Sequence, residues 1–179
     1  MRSWVETEVT VAEKLSGGDR RSSGRVPEIV ADVLKNPLQF AELIAAMSHD
    51  DPIVRMRAAD AVEKITVHHP EYLFPHKRHL LHTVAKINQQ EVRWHIAQIL
   101  PRLSLDRQER ADAIPMLFDY LNDPSSIVKT FALEGLAALS KDEPMARAKV
   151  VSLLKNALQT GTPAMKSRSR NLLAKLQEK

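Results

Sequence analysis

Apolar residues recur at helical spacing along almost the whole chain, and the breaks between them fall at short polar runs. Pro27 suits the first turn of a helix that ends near Lys35. Asn36-Pro37 stops it and opens the next, with Phe40, Leu43, Ile44 and Met47 on one stripe. Asp50-Asp51-Pro52 is a second break, followed by a helix carrying Val54, Ala58, Ala61, Val62 and Ile65 on one face. Residues 1–25 lack this pattern. They contain the run Gly17-Gly18-Asp19-Arg20-Arg21-Ser22-Ser23-Gly24 and read as a flexible N-terminal tail.

The break-and-start pattern is periodic. Val54-Arg55, Val92-Arg93, Val128-Lys129 and Met165-Lys166 align at offsets of 38, 36 and 37 residues. Seven and eight positions after each pair begins come Ala61-Val62, Ile99-Leu100, Gly135-Leu136 and Leu172-Leu173. Eleven positions on come Ile65, Leu103, Leu139 and Leu176. Four positions on, Ala58-Ala59, Ile96-Ala97 and Ala132-Leu133 match, whereas Ser169-Arg170 fits poorly. Each of these helices follows another apolar one, at Pro37–Met47, His76–Ile87, Gln108–Leu121 and Pro144–Leu158. Short connections make such partners antiparallel. The predicted unit is a helical hairpin used four times, over about 36–72, 73–106, 107–142 and 143–179, with a capping helix at 26–35.

Composition agrees. Five glycines and 4% aromatics suit neither the turns nor the faces of a β-sheet, so an all-α chain is expected. The absence of cysteine excludes disulfides, thiolate metal sites and cysteine nucleophiles, and fits a reducing, cytoplasmic setting. The longest apolar runs, such as Leu43–Met47 and Leu136–Leu139, are too short to span a bilayer. Arg2, Glu6 and Glu8 do not suit a signal peptide.

The runs Asp51-Pro52-Ile53-Val54-Arg55-Met56-Arg57-Ala58-Ala59-Asp60-Ala61-Val62 and Glu91-Val92-Arg93-Trp94-His95-Ile96-Ala97-Gln98-Ile99-Leu100 resemble the second helix of a HEAT repeat. Ala113-Ile114-Pro115-Met116-Leu117 is similar to the first helix, where a proline often bends the chain. The resemblance covers roughly residues 37–176 and implies an α-solenoid whose second helices line a concave face. It does not imply one activity, because such arrays mostly serve as binding scaffolds. Stacked hairpins also satisfy the physics, since one hairpin cannot bury its apolar stripe alone.

Three groups of residues stand out. Arg55, Arg93 and Lys129 flank the buried stripe, and Asp50, Asn88 and Asp123 precede them in the loops; together they suggest a polar ladder between repeats. Met56 and Asp60 lie about 200° and 240° round the helix from Val54, on the opposite face. With Arg57, Trp94, Gln98 and Glu134 they are the candidate partner-binding residues, Trp94 and Met56 as apolar anchors and the others as polar complements. Residues 144–179 carry a local charge of +7 against −3 for the rest, so Lys166, Arg168 and Arg170 form a candidate basic end patch.

His76, His79 and His82 recur every third residue, but His76 and His82 end about 120° apart, too splayed to hold one metal ion. No phosphate loop, nucleophile elbow or zinc-protease motif occurs. The expectation is a non-catalytic adaptor without metal or cofactor, binding a protein or peptide. Two alternatives follow from further resemblance. Some alkylation-repair glycosylases resemble HEAT arrays and bind nucleic acid with Trp, Asp and Arg, to which Trp94, Asp60 and Arg57 are similar by residue type alone. Bilin lyases contain similar repeats, but no residue here matches such a site.

Overall fold

The computed structural model describes residues 9–177. Among them are ten α-helices and no strand. They are α1 (Val11–Leu15), α2 (Val26–Lys35), α3 (Phe40–Ala46), α4 (Pro52–Thr66), α5 (Lys77–His82), α6 (Gln90–Ile99), α7 (Arg107–Tyr120), α8 (Ser126–Leu139), α9 (Pro144–Thr160) and α10 (Pro163–Gln177). The helices α2, α4, α6, α8 and α10 stack side by side as one layer, each touching the next. The helices α3, α7 and α9 lie against α4, α8 and α10 as their hairpin partners. This is the α-solenoid that the periodicity predicts.

The repeat template marks the core. Val54, Val92 and Val128 are fully buried, as are Ala61, Val62, Ile99, Leu100 and Leu136. The poorly fitting fourth copy still packs. Ser169 sits fully buried in the core position of α10, with its hydroxyl unpartnered. Asp51, Asp106 and Ser125 cap α4, α7 and α8 by accepting from backbone N–H groups of the first turn. The first helix of the second hairpin is shorter than expected. Pro70–His76 forms a 3-10 run, α5 lasts only six residues, and a further 3-10 turn at Val84–Lys86 completes the segment. Pro75 removes a donor within that run, which favours the tighter turn.

The N-terminal region departs from expectation. Of the tail predicted over 1–25, residues 1–8 lie outside the described residues, and residues 9–25 are folded. Thr10 and Glu13 make a capping box on α1, and Val11 and Leu15 are buried in the core. The helix α1 packs on α2, α3 and α4. The segment at 26–35 is therefore the second helix of a truncated hairpin with α1, rather than a lone cap. The five residues of α1 hold a helix because two apolar side chains, Val11 and Leu15, find a surface to pack on.

No helix among the described residues is long and apolar enough to cross a membrane.

Candidate functional site

The connection between α1 and α2 wraps around one side chain. Arg57, on α4, is 3% exposed. Its Nη1 donates to the carbonyls of Leu15, Ser16 and Gly17 at 2.8, 3.3 and 2.6 Å. Its Nε donates to Ser22 O at 3.1 Å and its Nη2 to Asp19 O at 3.3 Å. A guanidinium has five N–H donors and no acceptor, so a ring of carbonyls satisfies it. Gly24, at φ +55°, comes so close that a Cβ there would lie 2.7 Å from Arg57 Cζ. The loop closes on itself as well: Asp19 Oδ1 accepts from Arg21 N at 2.8 Å, and Ser22 Oγ from Gly24 N at 3.0 Å.

This corrects the expectation for Arg57. It offers no polar complement to a partner, because its donors are turned into the chain's own loop. The glycines that read as flexibility are what let the loop approach the guanidinium.

A cleft of about 280 Å³ opens between this loop and the second-helix layer. Arg20, Arg21, Ser22 and Ser23 form one wall; Met56, Arg57 and Asp60 of α4 and Trp94 and His95 of α6 form the other. Four of the six predicted partner-binding residues, Met56, Arg57, Asp60 and Trp94, thus meet at one place. Met56 is 8% exposed and lies deep. Trp94 is half-buried, its indole tilted against the His95 ring at 5.6 Å between centroids. Asp60 is paired with Lys64 at 2.5 Å.

Gln98 and Glu134 belong elsewhere on the face, to a smaller hollow of about 210 Å³ with Pro101 and Arg102. Gln98 Nε2 turns back to Trp94 O at 3.1 Å, and Glu134 accepts from Arg168 at 2.7 Å.

His95 was not singled out in the sequence, yet it lines the cleft at 9% exposure with its Nδ1 buried and unpartnered. Burial pushes the imidazole down to about 4; Asp60 and Glu63 pull the other way and Lys64 and Arg102 oppose them. It is neutral at neutral pH. Arg20, Arg21, Ser22 and Ser23 were also missed as site residues, because a Gly-Ser-rich run carries no signal of where it folds back.

The basic end patch does not form as one surface. Lys166 and Arg170 share a side of α10, but Arg168 points about 200° away from each. It reaches the inner face, where it pairs with Glu134 and lies over the Phe131 ring at 5.5 Å.

The ladder is partly as expected. Arg93 Nη1 donates to Asp123 Oδ2 at 2.8 Å, bridging α6 to the loop before α8. Arg55 crosses to the next repeat through Gln89 Oε1 at 2.8 Å, while Gln89 Nε2 returns to Pro52 O at 2.8 Å. Asn88 is exposed, and its neighbour Gln89 takes the role. Asp50 contributes only its carbonyl, to Arg55 at 3.0 Å. Lys129 makes no such bond among the described residues; the loop ahead of α10, Gly161-Thr162, holds no carboxylate to meet it. A second tie was not foreseen, from Arg102 to Glu63 at 2.5 Å and to Thr66 Oγ1 at 3.1 Å. Of the histidine series, His79 meets Ser48 Oγ at 3.0 Å and His76 packs on Phe40.

Stacked hairpins with a continuous layer of second helices, tied by side chains that cross to the next unit, define the helical-repeat solenoids. Within that class, a family model for the HEAT repeat domain matches residues 11–176. The chain belongs to the HEAT repeat family. The match begins at α1, the first residue of the truncated hairpin. No curated protein is matched by the chain.

Proposed function

We propose that the chain is a non-catalytic adaptor that docks a protein or peptide on the face of its second helices, with the cleft beside Trp94 as the anchoring point. The observation that carries this reading is the half-buried Trp94 at the mouth of a cleft whose other wall, the loop at 16–25, is fixed by Arg57. A large amphipathic ring in a preformed concavity is the usual anatomy of a binding hot spot. A wall held by a buried side chain needs no ordering on binding, which favours affinity. Family membership is in keeping, since HEAT arrays commonly act as scaffolds.

The nucleic-acid alternative has less support. Arg57 spends its donors on the loop, and Arg168 is engaged by Glu134, so neither is available to a phosphate. We expect the Trp94→Ala chain to bind a cross-linked and identified partner about tenfold more weakly, with Lys155→Ala, an exposed residue of α9, unchanged. Equal affinities of the two variants, measured by calorimetry, would remove Trp94 from the interface.

A further inference from the structure

The cleft has a charge that its apolar floor does not explain. Three arginines line it, Arg20, Arg21 and Arg57. Two of the acids nearby are neutralised, Asp60 by Lys64 and Glu63 by Arg102; Asp19, whose carboxylate accepts from the backbone N–H of Arg21, keeps its charge and offsets only one of the three arginines. Glu91, one turn before His95, stays buried within α6's first turn. All the hydrogen bonds of Arg57 end on carbonyls, and among the described residues it has no ion-pair partner. Its positive charge is solvated but not cancelled. Arg20 and Arg21 are exposed and likewise without an ion pair among the described residues. Low-dielectric walls focus such a field into a cleft.

Beyond the cleft the same face is different. Its next cations, Arg102 and Arg168, are each neutralised by a carboxylate, Glu63 and Glu134. The positive potential is local, not a stripe. A duplex or a single strand needs a track of free cations along several repeats, with aromatics for stacking if the strand is single. A pocket of about 280 Å³ with one indole, one thioether and two free guanidinium groups fits instead a side chain or two flanked by carboxylates.

We infer that the cleft recognises an acidic peptide segment, in which an aliphatic or aromatic side chain seats against Trp94 and Met56 while adjacent carboxylates meet Arg20 and Arg21. His95 forms part of the same wall, with its Nδ1 buried behind the cleft surface and out of the peptide's reach. This inference rests on the docking reading proposed above and names the partner's chemistry.

The experiment is selection of a random peptide library, displayed on phage, against the intact chain at low salt, followed by synthesis of the most enriched peptide. The expected result is enrichment of peptides with Asp or Glu beside an apolar residue. The synthetic peptide should lose about tenfold in affinity when its acids become amides, and its affinity should fall as salt rises. The charge-reversed chain R20E/R21E should lose the acidic bias, and the milder R20Q/R21Q should weaken it; both exchange exposed side chains on a loop rooted by Arg57, so far-ultraviolet circular dichroism should be unchanged. Peptides enriched without acidic bias, yet lost with Trp94→Ala, would leave the docking face standing and overturn the acidic preference. No enrichment over an unrelated protein, or enrichment indifferent to both sets of substitutions, would overturn the docking reading as well. Displacement of the peptide by a short DNA duplex that binds more tightly would transfer the cleft to nucleic acid and end the proposal.

Discussion

Arg57, His95, Phe131 and Arg168 occupy one register position on successive second helices, three residues after the template valine or methionine. Arg57 is buried by a loop, His95 is nearly buried, Phe131 is partly buried against the core, and Arg168 reaches back to Glu134. The same azimuth thus meets four environments, decided by what lies across from it. His95 is the titrating member. Its folded value near 4 lies below the ordinary 6.5, so between those values the unfolded chain binds a proton that the folded chain refuses. Stability should therefore fall as pH drops from about 6.5 to 4 and stop falling from this cause below that. The full effect is on the order of 3 kcal/mol. Urea titrations across that range should show wild type losing more stability than His95→Gln, the carboxylates common to both cancelling. Parallel curves would show that His95 is not the group responsible.

At the scale of elements, the connection between α1 and α2 is the part least like a repeat. It is built from three glycines at positive φ and one borrowed guanidinium. Replacing Arg57 by methionine keeps the apolar stem and removes every hydrogen bond from the loop to α4. Each hydrogen bond to a charged donor contributes roughly 1.5–3 kcal/mol. The carbonyls released can be hydrated, so the loss should stay local. Trypsin should then cut at Arg20, Arg21 or Arg25 at least about tenfold faster, with cleavage elsewhere unchanged. Arg57→Lys, with fewer donors and no planar fork, should fall between. A wild-type cleavage rate in Arg57→Met would mean that the apolar contacts of α1 alone hold the loop. The second helices show the opposite behaviour, regular because their approach is close. A Cβ on Gly135 would lie 2.7 Å from Ala97 O, so α6 and α8 meet there backbone to backbone, with no room for a larger residue.

Across the whole molecule, each hairpin touches mainly its neighbours, so stability is shared along the stack rather than centred. The two ends differ. One is a truncated hairpin packed on the stack through the buried apolar residues of α1 and α2, with its connecting loop held by Arg57; the other is the basic pair α9 and α10, joined to α8 through apolar contacts and the Arg168–Glu134 pair. Leu154 is fully buried in α9. Its replacement by alanine should cost about 2–5 kcal/mol, as cavities do. Amide hydrogen exchange should then quicken in α9 and α10 while α4 and α6 keep their protection. A uniform loss of protection would show that the stack unfolds as one unit.

The sequence by itself determined the repeat, its register and the core positions, because a helix that must bury one stripe against its neighbours prints that stripe every turn. Val54, Val92 and Val128 are buried where the periodicity alone puts them. Trp94, Met56 and Asp60 could be placed on the opposite face by the same geometry. Tertiary structure decided what lay across from that face. Whether Arg57 met solvent or the loop at 16–25 depended on a glycine-rich segment without periodicity, folding back from some forty residues away. Arg168 was drawn off the basic end by Glu134 of another repeat, a pairing set by how hairpins stack. Local periodicity reports which side of a helix is wet or dry; only the packed chain fixes which charges remain free.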